Sequence, residues 1–256
     1  MKARLTVLGS GTSMGVPTIG CDCAVCHSPD PHDRRTRPSI LIEYDGRTVL
    51  IDTTPDFREQ AIREQIKKLD AVLYTHGHAD HVLGLDDLRP LSFRHPEKIP
   101  LYARPEVAAL LRQMFRYIFD ADYKFGGLAQ VELQTIDGPF ELFGAPFAPV
   151  KVMHGDAEII GYRFGTAAYL TDFSGIPEES FAQLDGLDIL FLDALRRRPH
   201  PTHSTVENSL RIVERVAPKR AFFTHICHDL PHEATNAELP PHVRLSYDGM
   251  KLEFEI

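Results

Sequence analysis

Seven residues constrain this chain more than any other stretch: Thr75-His76-Gly77-His78-Ala79-Asp80-His81, directly after the apolar run Ala71-Val72-Leu73-Tyr74. Three imidazoles and a carboxylate packed this closely are a donor set for zinc and similar divalent ions. Gly77 and Ala79 leave the backbone room to bend so that alternate side chains converge. A solvated turn has no use for this composition, so the stretch is expected to hold metal. A fold that carries it must bring the end of a buried strand to a polar site.

The same arrangement recurs downstream. The run 149–153 leads to His154, the run 167–170 to Thr171-Asp172, and the run 221–223 to Thr224-His225. Each run is short, rich in β-formers and bounded by polar residues, as a buried strand is. Strands that finish in His or Asp are a common way to deliver ligating side chains from a rigid scaffold. Further strands are expected at 4–8, 39–44, 48–51 and 189–192. Asp45-Gly46 reads as a two-residue hairpin turn, and Asp248-Gly249, between 243–247 and 250–254, reads the same way. Helical periodicity covers 56–66, 105–118 and 205–216, with Asp56 and Ser204 as expected N-caps. The mixed order predicts an α/β (α+β) chain, two mixed β-sheets flanked by helices, in one domain over residues 1–256.

Charge narrows the partners. Lys and Arg number 28 against 36 Asp and Glu, a net charge of −8. That balance disfavours a sequence-independent grip on nucleic-acid phosphate. No apolar run nears the roughly 18–20 residues that span a bilayer, and the run 5–8 is too short for a signal peptide. No membrane partner and a cytoplasmic location are therefore expected.

H-x-H-x-D-H after an apolar strand, with His154, Asp172 and His225 downstream, resembles the metallo-β-lactamase superfamily over essentially the whole chain. The resemblance implies an αββα sandwich with two divalent ions, zinc or manganese, at one edge. By that resemblance His76, His78 and His154 hold one ion, Asp80, His81 and His225 hold the other, and Asp172 bridges. Two such cations about 3.5–4 Å apart can share and deprotonate a water at neutral pH. The fold alone does not choose the electrophile.

Three features favour phosphodiesters. The loop Gly9-Ser10-Gly11-Thr12-Ser13-Met14-Gly15-Val16-Pro17-Thr18 makes Thr12 and Ser13 candidate phosphate contacts. In His200-Pro201-Thr202-His203-Ser204-Thr205, His203 is a candidate donor of a proton to the leaving oxygen, with His200 beside it as a substrate contact. Asp80 joins His203 as a catalytic candidate. Arg196-Arg197-Arg198 either holds a second phosphate or is solvated charge.

Leu192-Asp193-Ala194, Pro201-Thr202-His203 and Cys21-Asp22-Cys23 sharpen the resemblance to the PhnP-like cyclic phosphodiesterases of the carbon–phosphorus lyase pathway. This subgroup opens a phosphoribosyl cyclic phosphate. It implies a small phosphodiester substrate, a homodimer, and His203 as acid or phosphate contact. Three alternatives stand beside it. Transfer-RNA 3′-processing nucleases share the metal set, but they grip tRNA with a protruding arm for which no basic Gly/Pro-rich insertion exists here. A glyoxalase-type thioester hydrolase would not need His203. A metal-dependent binding protein would have little use for seven ligands.

Cys21, Cys23 and Cys26 are three of the four cysteines. A disulfide does not suit a cytoplasmic enzyme. Three thiolates so close together make a zinc clip short of one ligand, with His228, Cys227 and His27 as candidates for the fourth. Resemblance to the PhnP-like subgroup implies His228, giving a closed Cys3His structural zinc. Asp52 is either a partner that orients a ligand histidine or a structural residue. Asp86, Asp87 and Arg89 lie on a surface network or behind the ligands. His32, His95, His232 and His242 have no partner evident in the sequence. Phe115, Tyr117, Phe119 and Tyr123 are expected to serve core or dimer packing.

Overall fold

In β2 (Ser39–Tyr44) and β3 (Arg47–Ile51), alternate residues enter different cores. Ile40, Ile42, Val49 and Ile51 face one hydrophobic cluster, whereas Leu41 and Leu50 face another. Burial on both faces explains why these segments read as near-continuous apolar runs. The computed structural model describes residues 1–120, 122 and 126–256, and its strands form two seven-stranded sheets.

The first sheet adds β1 (Lys2–Gly9), β4 (Ala71–Leu73), β5 (Ile99–Ala103), β6 (Val131–Thr135) and β14 (Lys251–Glu255), in the order β14-β1-β2-β3-β4-β5-β6. The second contains β7 (Phe140–Leu142), β8 (Ala145–His154), β9 (Ala157–Phe164), β10 (Ala167–Leu170), β11 (Ile189–Asp193), β12 (Arg220–Thr224) and β13 (Val243–Leu245), in sequence order across the sheet. Both sheets are mixed: β3 to β6 and β10 to β13 are parallel, and the remaining pairs are antiparallel.

The helices are α1 (Phe57–Arg63), α2 (Ala79–Val82), α3 (Arg89–Ser92), α4 (Pro105–Met114), α5 (Arg116–Phe119), α6 (Val206–Val216) and α7 (His232–Glu238). Leu5, Ile42 and Ile51 of the first sheet meet Phe147, Tyr162 and Phe191 of the second in the central core. Phe57 of α1 and Val107 and Leu111 of α4 cover the outer face of the first sheet. Ile212 and Val213 of α6 cover the second. The layers therefore run helix, sheet, sheet, helix, as the resemblance implied.

Three local expectations fail for physical reasons. Asp45-Gly46 does close the β2–β3 hairpin, with φ of 44° and 68°. Asp248-Gly249 does not close one, because β13 pairs with β12 in the second sheet while β14 pairs with β1 in the first. The Asp248 carboxylate instead accepts hydrogen bonds from the amides and hydroxyls of both Ser10 and Thr36. The same turn chemistry thus serves a crossing between sheets. The N-cap of α6 is Thr205, not Ser204: Thr205 is extended and its hydroxyl accepts from the Asn208 amide at 3.1 Å. Ser204 turns inward to Ser209, 2.7 Å away. Asp56 does precede α1, but its carboxylate is taken by the amide and guanidinium of Arg37 and caps nothing.

Phe115 packs in the core beneath α4, and Phe119 lies against the same cluster. Tyr117 is partly exposed, and Tyr123 lies outside the described residues. Among the described residues no helix is long and apolar enough to cross a membrane.

Candidate metal centre

The parallel strands bring their C-terminal ends to one edge of the sandwich. There the chain leaves β3, β10 and β12 through Asp52, Asp172 and His225, with φ of 65°, 57° and 56°. Asp and His enter this left-handed region more readily than most residues. The strain is of order 1–3 kcal/mol per residue, held in place by the sheets on either side. Tyr162 Oη donates to the Tyr74 carbonyl at 2.8 Å and ties the second sheet to the first beside the site.

Asp172 stands at the centre. Its Oδ1 lies 3.0 Å from His225 Nε2 and 3.2 Å from His81 Nε2, and its Oδ2 lies 3.7 Å from His76 Nε2. Asp80 Oδ2 lies 3.3 Å from His81 Nε2 and 3.6 Å from His225 Nε2. His78 precedes α2, with its ring 4.6 Å from that of His76 and 5.0 Å from that of His154. Asp80, His81, Asp172 and His225 offer ligand atoms within 4.8 Å of one another; so do His76, His78 and Asp172, and so do His154, Asp172 and His203. The seven expected ligands are thus gathered around Asp172. A Cβ at Gly77 would lie 2.3 Å from Cδ2 of Leu110 in α4, so that side chain would have to shift to admit one.

Hydrogen bonds orient the rings. His81 Nδ1 donates to Asp52 at 2.7 Å, and Asp52 also accepts from the amide and hydroxyl of Thr75. His154 Nδ1 donates to the Asp172 carbonyl. Each bond leaves Nε2 as the outward ligand atom, the arrangement by which carboxylates and carbonyls commonly fix metal-binding histidines. Asp52 therefore acts through His81.

The residues fit divalent cations. The buried Nε2 atoms of His76, His81 and His225, and Asp80 Oδ2, make no hydrogen bond. Buried polar atoms without partners are costly, and these four converge on the same small volume. Imidazole nitrogens with carboxylate oxygens are the set that zinc and manganese take. Burial would push Asp172 up and His225 down. Their mutual attraction outweighs it, holding Asp172 well below the usual carboxylate range and raising His225 to about 10. Burial and the charge on His81 keep His76 well below its ordinary value, hence neutral. The cluster calls for positive charge at its centre.

His203 reaches the same site from the loop before α6. Its Nδ1 donates to Asp193 Oδ2 at 2.7 Å, and its ring stacks on His225 with centroids 4.6 Å apart. The ring of His200 is 4.9 Å from that of His203. Asp193 was not singled out from the sequence, although it ends β11 as His and Asp end the other strands at this edge. The loop after β1 runs alongside: Thr12 is buried and its amide donates to the Ile226 carbonyl, next to His225. Ser13 is exposed. The three arginines after Ala194 are occupied elsewhere. Arg196 donates to the carbonyls of Arg198 and Pro199, Arg197 pairs with Glu207 and Glu238, and Arg198 pairs with Asp229. Arg89 pairs with Asp86 at the surface.

A second cluster lies nearby. The sulfurs of Cys21, Cys23 and Cys26 lie 3.1, 3.5 and 3.4 Å from His228 Nδ1. Burial pushes the Cys26 thiol up to about 11, so its ionisation calls for a cation. The other fourth-ligand candidates point away. Cys227 Sγ accepts from the Asp229 amide, and His27 faces Asp22 at 3.4 Å.

Comparison with known proteins agrees with this architecture. The β-lactamase superfamily domain matches residues 47–226. A crystal structure of a new diphosphatase from the PhnP family superposes with a TM-score of 0.94 at 63% identity, over 99% of this chain and 98% of that one. Zn(2+)-bound PqqB from Methylobacterium extorquens shares the fold, with a TM-score of 0.79 at 24% identity over 97% and 99% of the two chains. An octanoyltransferase of Porphyromonas gingivalis is 40% identical over 97% of this chain, which spans about half (51%) of that relative's length. Coenzyme PQQ synthesis protein B of Xanthomonas axonopodis pv. citri is 30% identical over 81% of this chain and 68% of its own. Divalent metals are implied by the fold, and the chain belongs to the β-lactamase superfamily, with the metallo-β-lactamase fold.

Proposed function

We propose that this chain hydrolyses the P–O bond of a small phosphodiester, with His203 delivering a proton to the leaving oxygen. The observation that carries this reading is the Asp193–His203 pair set against the Asp172-centred donors. His76, His78, His154, Asp80, His81 and His225 would hold two divalent ions, zinc or manganese, with Asp172 shared between them. When bound, such ions activate water as a nucleophile at neutral pH and offset negative charge growing on the phosphoryl oxygens. Asp193 occupies His203 Nδ1, which fixes the ring and leaves Nε2 as the atom that carries the transferable proton. That proton passes to the departing alkoxide, which would otherwise leave as a strong base. His200 lies beside His203, and Ser13 at the loop tip is available to the substrate phosphate. Cys21, Cys23, Cys26 and His228 would hold a third, structural zinc.

The 63% identical PhnP-family diphosphatase favours a second substrate class, a phosphoanhydride. A phosphate leaving group needs little protonation, so the two readings separate by the need for His203. The metal-loaded chain should be assayed on an aryl phosphodiester, a cyclic nucleotide, a dinucleoside diphosphate and a thioester. Phosphodiester turnover that collapses in His203→Ala supports the first reading. Turnover of the diphosphate alone, indifferent to His203, selects the second. Turnover of the thioester alone overturns both.

A further inference from the structure

His32, His232 and Glu233 belong to neither cluster described above. Each offers a ligand atom within 4.8 Å of the others'. His232 is 4% exposed, and its buried Nδ1 has no hydrogen-bond partner. The imidazole rings of His32 and His232 lie 4.6 Å apart, with the ring of Tyr247 against both at 4.2 and 5.7 Å. The two nitrogen donors are thus backed by the ring of Tyr247, with the Glu233 carboxylate within reach of both.

We propose that His32, His232 and Glu233 form a further binding site for a divalent transition-metal cation, zinc being the ion of choice. Two imidazoles and one carboxylate select such an ion over magnesium or calcium, which prefer all-oxygen cages. Asp30 Oδ1, 3.5 Å from His32 Nδ1, adds negative charge beside the site. Arg35 bears on His232 as an opposing charge, but it is paired with Asp33 at 3.0 Å. Burial, with His32 and Arg35, holds His232 down at about 4, so its lone pair is free at neutral pH. The ion would tie residues 30–35 to the start of α7, where Asp33 already accepts from the His232 amide at 2.8 Å. The cysteine clip joins neighbouring parts of the same two segments, so both would brace the loop that carries His225.

The test counts metal. The full chain, with its other ions in place, is dialysed against buffered free zinc, and zinc per chain is measured by atomic emission. His32 and Glu233 reach solvent, so His32→Ala and Glu233→Gln should fold; His232 is packed and is left intact. Wild type is expected to hold one zinc more than either variant. Equal zinc in all three proteins overturns the site. Loss in one variant but not the other overturns it as a three-ligand site.

Discussion

The carboxylate of Asp193, at the end of β11, accepts a 2.7 Å hydrogen bond from Nδ1 of His203, ten residues further along and across a loop. Asp193 is fully buried. Burial raises its carboxyl above the usual value, and the His203 bond works against that rise. The carboxylate cannot reach substrate itself; its part is to hold the imidazole. Asp193→Asn should lower turnover of an alkyl phosphodiester by about 100-fold or more, within the range of general acid catalysis. Metal content and KM should barely change. A loss just as large with a good aryl leaving group would show that the pair does something other than protonate the leaving oxygen.

The Asp52 carboxylate accepts three hydrogen bonds, two from Thr75 and one from His81 Nδ1. Asp52→Asn keeps the size but removes the charge that fixes the His81 ring. Partners of this kind typically contribute about 10–100-fold to metal affinity. Competition with a chelator should therefore strip the active-site ions from the variant at a correspondingly lower chelator concentration. Unchanged retention would reduce Asp52 to a structural residue.

The cysteine cluster predicts a separable ion. Cys23→Ser should lose about one zinc per chain and melt at lower temperature, while His76, His81 and His225 keep their ions. An intact protein whose four cysteines proved to be oxidised would end the idea, since all four are free thiols in this structure.

Arg35 is 1% exposed, and its guanidinium donates to Asp33, to the Cys227 carbonyl and to the Leu230 carbonyl. Arg35→Met preserves much of the volume but leaves Asp33 buried without its partner. Removing one member of a buried pair costs about 3–5 kcal/mol. Urea titration should show a lower midpoint at unchanged slope, their product giving a loss of unfolding free energy of that order. A loss of unfolding free energy below about 1 kcal/mol would mean that Asp33 relaxes onto the His232 amide alone.

Much of the site was legible because its ligands are close in sequence or end apolar runs. His76, His78, Asp80 and His81 declare themselves within one turn, and His154, Asp172 and His225 each follow a strand. The three clip cysteines are equally local. The role of Asp193 is not legible in the sequence, because its partner His203 lies across a loop whose path no periodicity describes. Thr205 rather than Ser204 caps α6 because adjacent hydroxyl residues are told apart only by their backbone angles.

The sequence by itself determined ten of the strands, though not β5, β6, β7 and β9, which residues are able to bind metal, and that two clusters of such residues exist. Those properties depend on composition and spacing within a few residues, where side-chain chemistry and period act directly. The tertiary structure alone decided which strand joins which sheet. Asp248-Gly249 shows this: turn residues set a local reversal, while the partner of each flanking strand depends on apolar faces dozens of residues away. It also decided the convergence on Asp172, the seating of Asp193 beneath His203, and the meeting of His32 with His232. Contacts of that kind arise when two sheets bury their inner faces together, and a linear chain carries no mark of them.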